Sequence, residues 1–221
     1  MMQPKRGATG ASSSSGPSPR VIAGIVVGIA VVLAVVAVLL RSGTDGSASD
    51  TTAEGSIEIG SVRIEGQTLV PHVEGPSDAG TGARAPQLVG TGFDGQPLAI
   101  APGTEPMVVV FVAHWCPHCQ AEVPLLAAWA SGGVRNGVAV RAVSTSTTSE
   151  RPNYPPSAWL AREGFTIPTL ADDAKSSAAS AYGLTSFPYF VAMDAKGNVV
   201  ARVSGELTEA QFDDLVAKTK A

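Results

Sequence analysis

Met107-Val108-Val109-Val110-Phe111-Val112-Ala113 runs directly into His114-Trp115-Cys116-Pro117-His118-Cys119. The first seven residues form a continuous apolar run, the mark of a strand buried on both faces. Beyond them, apolar residues recur at Val123, Leu126, Ala127 and Ala130, a helical spacing, and Gly132-Gly133 ends it. The chain's only two cysteines therefore fall where a buried strand gives way to a helix. Cys116 stands at the helix N-terminus, where unpaired N–H groups and the macrodipole stabilise an anion. That favours the thiolate, the attacking species in disulfide exchange. Cys119, one turn on and on the same face, is placed to resolve a mixed disulfide.

Other chemistries can be weighed on the same residues. A c-type haem site needs His directly after the second Cys, and Gln120 stands there. A structural disulfide closing so small a loop would constrain the unfolded chain little. A metal site, copper above all, could draw on Cys116, Cys119 and a His from His72, His114 and His118. It stays open as an alternative of a different class.

Outward from this point, strands and helices mostly alternate. Val138 to Val143 is a second buried strand, and Ser157 to Glu163 and Lys175 to Tyr182 read as helices. Tyr189 to Met193 and Val199 to Val203 flank Asp194-Ala195-Lys196-Gly197 as a hairpin. Thr208 with Gln211 makes a capping box for a last helix over about 209–219. The order β-α-β-α-β-β-α predicts a mixed sheet with helices on both faces.

The 221 residues are only 15% charged. Much of that shortage is local: Val21 to Leu40 holds no polar side chain. At about 1.5 Å per residue the run spans roughly 30 Å, the hydrocarbon thickness of a bilayer. Lys5, Arg6 and Arg20 precede it and every acidic residue follows it, so the positive-inside rule puts the N-terminus in the cytoplasm. The run exceeds a signal peptide's apolar region and Arg41 follows at once, which points to an uncleaved anchor. The expected organisation is a disordered cytoplasmic tail over 1–20, a transmembrane helix over 21–40, an extracytoplasmic tether over 41–80 with a short β-hairpin or an extended lead-in over about 57–73, and a folded domain over 81–221. The outer part is acidic, which makes nucleic acid an unsuitable partner.

The residues from about 81 onward resemble the thioredoxin-like superfamily, and within it the membrane-anchored TlpA/ResA-like thiol–disulfide oxidoreductases. Gly82-Ala83-Arg84-Ala85-Pro86 and Asp94-Gly95 are similar to that family's opening hairpin. Val110 to Cys119, Glu122-Val123-Pro124, Phe187-Pro188, Asp194 to Gly197 and Gly205 follow in order, and Thr145 to Ala179 fits the family's helix–strand insert. The resemblance implies a redox-active Cys116–Cys119 disulfide with Cys116 as nucleophile and Cys119 as resolving thiol. It implies Glu122 as the buried acid that accepts the Cys119 proton, since the position of thioredoxin's own buried Asp is here Val110. Pro188 matches the cis-proline that docks substrate, with Phe187 beside it, and Trp115 an aromatic that shields the disulfide. No bound cofactor is implied. Clients would be proteins bearing thiols or disulfides, and a further redox protein or membrane partner would reset the disulfide.

The dipeptide Pro117-His118 departs from that family and resembles the oxidant DsbA. A His inside the loop can donate to the Cys116 thiolate, making the disulfide more oxidising. His114, read as a surface residue, could add to this. Oxidation of client thiols is the expected direction; thiol reduction, as in cytochrome c maturation, is the alternative.

Overall fold

Met107–Val112 (β4) is buried at every residue and forms the middle of a six-stranded sheet. The computed structural model describes residues 55–75 and 78–221. Val138–Ser144 (β6) lies parallel to β4 on one side, and Tyr189–Met193 (β8) lies antiparallel on the other. Val199–Ser204 (β9) continues the sheet beyond β8, while Val134–Arg135 (β5) and Thr169–Ala171 (β7) pair with different parts of β6.

The alternation of β4 explains why its whole run is apolar. Val108, Val110 and Val112 face one core with Val123 and Leu126 of Pro117–Trp129 (α1), Trp159 of Pro156–Arg162 (α2) and Phe212 of Glu209–Lys218 (α4). Met107, Val109 and Phe111 face the other, with Ala178 of Ser177–Ala181 (α3), Leu88 of Gln87–Thr91 (β2) and Ile100 of Pro97–Ile100 (β3). Each large apolar side chain so buried contributes about 1.5–3 kcal/mol, so neither face could carry a polar residue cheaply. Helices cover both faces of a mixed sheet, the thioredoxin-like arrangement expected from the sequence.

Local signals act as read. Asp194 Oδ1 accepts the N–H groups of Lys196 and Asn198 and closes the β8–β9 hairpin. The Thr208 and Gln211 side chains form the reciprocal cap of α4. In the inserted segment, Thr169–Ala171 adds a short strand that residue periodicity alone did not mark.

Of the two forms expected for the lead-in, the extended one is present and the hairpin is not. Arg63–Glu65 (β1) pairs with β2 in a separate three-stranded sheet, β1-β2-β3, rather than folding on itself as a hairpin over 57–73. An isolated two-stranded hairpin is marginal in water, whereas joining β2 lets Val62 and Ile64 pack against the core. The rest of this strap is stitched to the domain by backbone bonds. Ile57 N–H donates to Phe93 O (2.8 Å), Gly60 N–H to Asp172 O (3.0 Å), Leu69 N–H to Ala181 O (2.8 Å) and His72 N–H to Gly183 O (2.8 Å). Gly183 is required there, because a Cβ would meet Val70 O at 2.2 Å. Asp78 then forms a buried ion pair with Arg202, whose Nε donates to Asp78 Oδ2 at 2.7 Å. The compact unit is therefore Gly55–Ala221, and the boundary expected near Thr81 moves to Gly55.

The expected tail over 1–20, the anchor over 21–40 and the tether up to residue 54 lie outside the described residues. Among the described residues no helix is long and apolar enough to cross a membrane.

Candidate active site

Strand β4 delivers the chain to the site, and a tight turn closed by Cys116 N–H to Ala113 O (3.0 Å) starts α1. Cys116 occupies the N-cap position with extended backbone, and Pro117 fills the first helical turn, where its missing N–H costs nothing. No acidic residue sits in that turn to compete for the dipole's positive end. Cys116 is 6% exposed and Cys119 is wholly buried. An attacking sulfur can thus reach Cys116 first, with Cys119 behind it.

Burial pushes the Cys119 thiol well above the ordinary thiol range, although Ala113 N–H donates to its sulfur at 3.5 Å and pulls the other way. Such a thiol does not ionise unaided at neutral pH, so the step that uses it needs a base. Glu122, fully buried and three residues on along α1, is the candidate. Burial, opposed by a hydrogen bond from Leu207 N–H to Oε2 (3.0 Å) and aided by the Glu206 charge, pushes its carboxyl up to about 7. Its Oε1 has no hydrogen-bond partner among the described residues. A buried carboxyl that titrates near neutrality can both take and return a proton. Val110, at the position noted for thioredoxin's acid, is buried between β6 and β8 and carries no proton.

Trp115 and Phe187, with Pro188 next in the chain, pack beside the cluster that holds Cys116 and Cys119. Trp115 and Phe187 meet edge to face with ring centroids 5.8 Å apart. Phe187–Pro188 is a cis peptide, and Pro188 O accepts Gly205 N–H at 2.8 Å. Trp115 Nε1 donates to Ser146 O (2.8 Å), and the Arg151 guanidinium lies 5.2 Å from its ring centroid.

Two histidines depart from their sequence reading. His118 is exposed, and its Nδ1 bonds Glu206 Oε1 at 2.6 Å, not Cys116. A carboxylate is the stronger partner for an imidazole N–H than a thiol. His114 is not a surface residue but fully buried. Its Nε2 accepts Thr148 N–H (3.3 Å), which assigns the proton to Nδ1, and Nδ1–H donates to Pro152 O (2.7 Å). Its carbonyl takes bonds from Gln120 Nε2 (3.0 Å) and Asn153 Nδ2 (3.3 Å). His114 thereby fastens the β6–α2 loop beside Trp115, in place of tuning the cysteines directly.

Glu206, Leu207 and the loop from Ser146 to Asn153 escaped the sequence reading because each reaches the motif from a segment distant in the chain. The metal set considered above is not assembled. His72 lies beside Tyr189 (ring centroids 5.4 Å) with Glu74 on Nε2, and both His114 nitrogens are bonded to backbone. Among the described residues no group of three or more His, Cys, Asp or Glu is arranged to hold a metal ion.

The sequence profile of the Redoxin family matches residues 80–218. Among solved structures the chain is similar to a putative thiol:disulfide interchange protein DsbE from Chlorobium tepidum, at 19% identity, covering 63% of this chain and 98% of that one with a TM-score of 0.51. It is also similar to a thiol:disulfide interchange protein from Bacteroides sp., at 20% identity, covering 62% and 88% with a TM-score of 0.50. At such identities the likeness is one of fold. No curated protein matches the chain.

Proposed function

The chain belongs to the Redoxin family and is a thiol–disulfide oxidoreductase, and from that premise we propose that it oxidises thiols of client proteins outside the cytoplasmic membrane, held there by an uncleaved anchor at Val21–Leu40. The observation that carries the exchange chemistry is the graded pair at the start of α1. Cys116 is just accessible, Cys119 is buried, and Glu122 stands behind it near its own titration point.

A client thiolate attacks the Cys116 sulfur of the oxidised pair. The Cys116–Cys119 bond breaks, and Cys119 leaves with the bonding electrons and takes a proton from Glu122. A second client thiolate then attacks the client sulfur of the mixed disulfide and expels Cys116 as a thiolate, which the N-terminus of α1 stabilises. Two electrons have moved from the client to the protein, and a further redox protein or membrane partner removes them to restore the disulfide. Trp115, Phe187 and the cis-Pro188 segment form the docking wall for an extended client.

The helix N-terminus supports the oxidising direction, because it favours the Cys116 thiolate and hence the reduced protein, and the Pro117-His118 dipeptide, similar to that of the oxidant DsbA, points the same way. Reduction of client disulfides is the second reading, favoured by the Glu206 carboxylate that occupies His118. It runs the same steps backward, with Glu122 accepting the Cys119 proton. The Cys116–Cys119 reduction potential, measured on the full chain by equilibration with glutathione, decides between them. A value near about −120 mV supports the oxidant and one near about −270 mV overturns it in favour of the reductant.

A further inference from the structure

The segment from Ser204 to Leu207 joins β9 to α4 and is fastened at four successive residues. Ser204 N–H donates to Glu74 Oε1 of the strap (3.0 Å), and Gly205 N–H to Pro188 O (2.8 Å). Glu206 Oε1 bonds His118 Nδ1 (2.6 Å), and Leu207 N–H donates to Glu122 Oε2 (3.0 Å). The residues on either side of Glu206 are thus tied to the docking proline and to the buried acid, and Thr208 begins the capped helix α4. A lone exposed ion pair between mobile side chains would carry little weight. Here the backbone under Glu206 is fixed by bonds to the very groups that surround the cysteines, so its carboxylate is held over the Cys116-Pro117-His118-Cys119 turn.

The consequence follows from charge. An imidazole between the two cysteines favours the reduced protein when its N–H and positive charge serve the Cys116 thiolate. A carboxylate bonded to that imidazole takes up one of its N–H groups, offsets its charge, and places a negative charge near a sulfur that must itself become anionic. Each effect disfavours the thiolate and so stabilises the disulfide.

We propose that Glu206 is a positioning residue that restrains His118 and thereby weakens the Cys116–Cys119 couple as an oxidant. The inference deepens the disulfide-exchange reading and rests on it. Glu206 also favours the protonated form of Glu122, so its charge reaches the second cysteine's proton partner as well as the first cysteine's neighbour.

The test is the equilibrium of the full-length chain with glutathione, in which the Cys116–Cys119 bond and two glutathione thiols become two cysteine thiols and one glutathione disulfide, a transfer of two electrons. Glu206→Ala is expected to raise the equilibrium constant toward reduced protein about tenfold, which is about 30 mV for a two-electron couple. In a His118→Ala background the same substitution is expected to change the constant less than about twofold. A residue that merely supports the loop would act equally in both backgrounds, and that result overturns the proposal. So does an unchanged or lowered constant in the Glu206→Ala chain. If wild-type Cys116–Cys119 fails to exchange with glutathione at all, the exchange reading falls and takes this inference with it. An intact exchange with no Glu206 effect removes the inference alone.

Discussion

Replacing Glu122 by Gln should stabilise the protein at alkaline pH while slowing its chemistry. A carboxyl whose titration point rises from 4.5 to about 7 on folding binds protons more tightly in the folded chain. Stability is therefore intact below about pH 4.5, falls as pH rises through the window between the two values, and levels off above about pH 7 at a loss of about 3 kcal/mol. Gln has no charge to bury, and its side-chain oxygen can still accept Leu207 N–H, so the variant escapes that loss. Urea titrations of both proteins should coincide near pH 4 and differ by up to about 3 kcal/mol at pH 8, with the variant the more stable. In parallel, exchange with a dithiol peptide should lose the inflection near pH 7 that Glu122 imposes, and its rate should fall about a hundredfold, at the lower end of what a positioned acid–base group supplies. An equal stability gap at pH 4 and pH 8, or an inflection that survives the substitution, would refute the assignment of Glu122 as the proton partner of Cys119.

Cys116→Ser should abolish exchange, whereas Cys119→Ser should accumulate client mixed disulfides visible on non-reducing gels; full activity in both variants would sink the redox reading. Asp78→Ala leaves the Arg202 guanidinium buried and unpaired, and should lower stability by about 3–5 kcal/mol, roughly 10 °C in Tm. The double variant Asp78→Leu with Arg202→Met should recover most of that loss in the same thermal melt. His114→Ala removes the acceptor of the Thr148 amide, and hydrogen exchange at Thr148 should accelerate at least about tenfold while α4 amides stay protected. Thr208→Ala should cost about 1 kcal/mol of stability by denaturant titration, through loss of the α4 cap.

Elements whose signal is local were legible in the sequence. The run from Met107 to Ala113 could only be a strand covered on both faces, and the paired cysteines at its end mark the candidate site. Asp194 to Gly197 and Thr208 with Gln211 carry their turn and cap in a few adjacent residues. What escaped depends on long-range pairing. The apolar residues of the lead-in satisfied a hairpin pattern equally well, and only the presence of β2 as a partner decides for Arg63–Glu65. His114 looked solvent-facing because its neighbours in the chain are motif residues, while its burial comes from Thr148, Pro152 and Tyr154 on a loop folded across it. The chain neighbours of His118 point it to the nearest cysteine, yet a glutamate 88 positions away holds its ring nitrogen.

The two outer margins of the six-stranded sheet bear on how a protein with the proposed function would withstand its clients. At one margin β6 is shared between a two-residue strand and a three-residue strand, each too short to template a long pairing. At the other, the start of β9 is already engaged, with Gly82 N–H and Ala83 O bonded to Val199 and Ala85 N–H to Gly197 O. On the proposed function, client chains brought to the cysteines would present exposed strands at high local concentration, the condition under which an open edge recruits them into aggregates. Short strands on one side and the Gly82–Ala85 segment on the other deny such chains a long open edge of this sheet, so that on the proposed function release would follow disulfide chemistry instead of sheet dissociation.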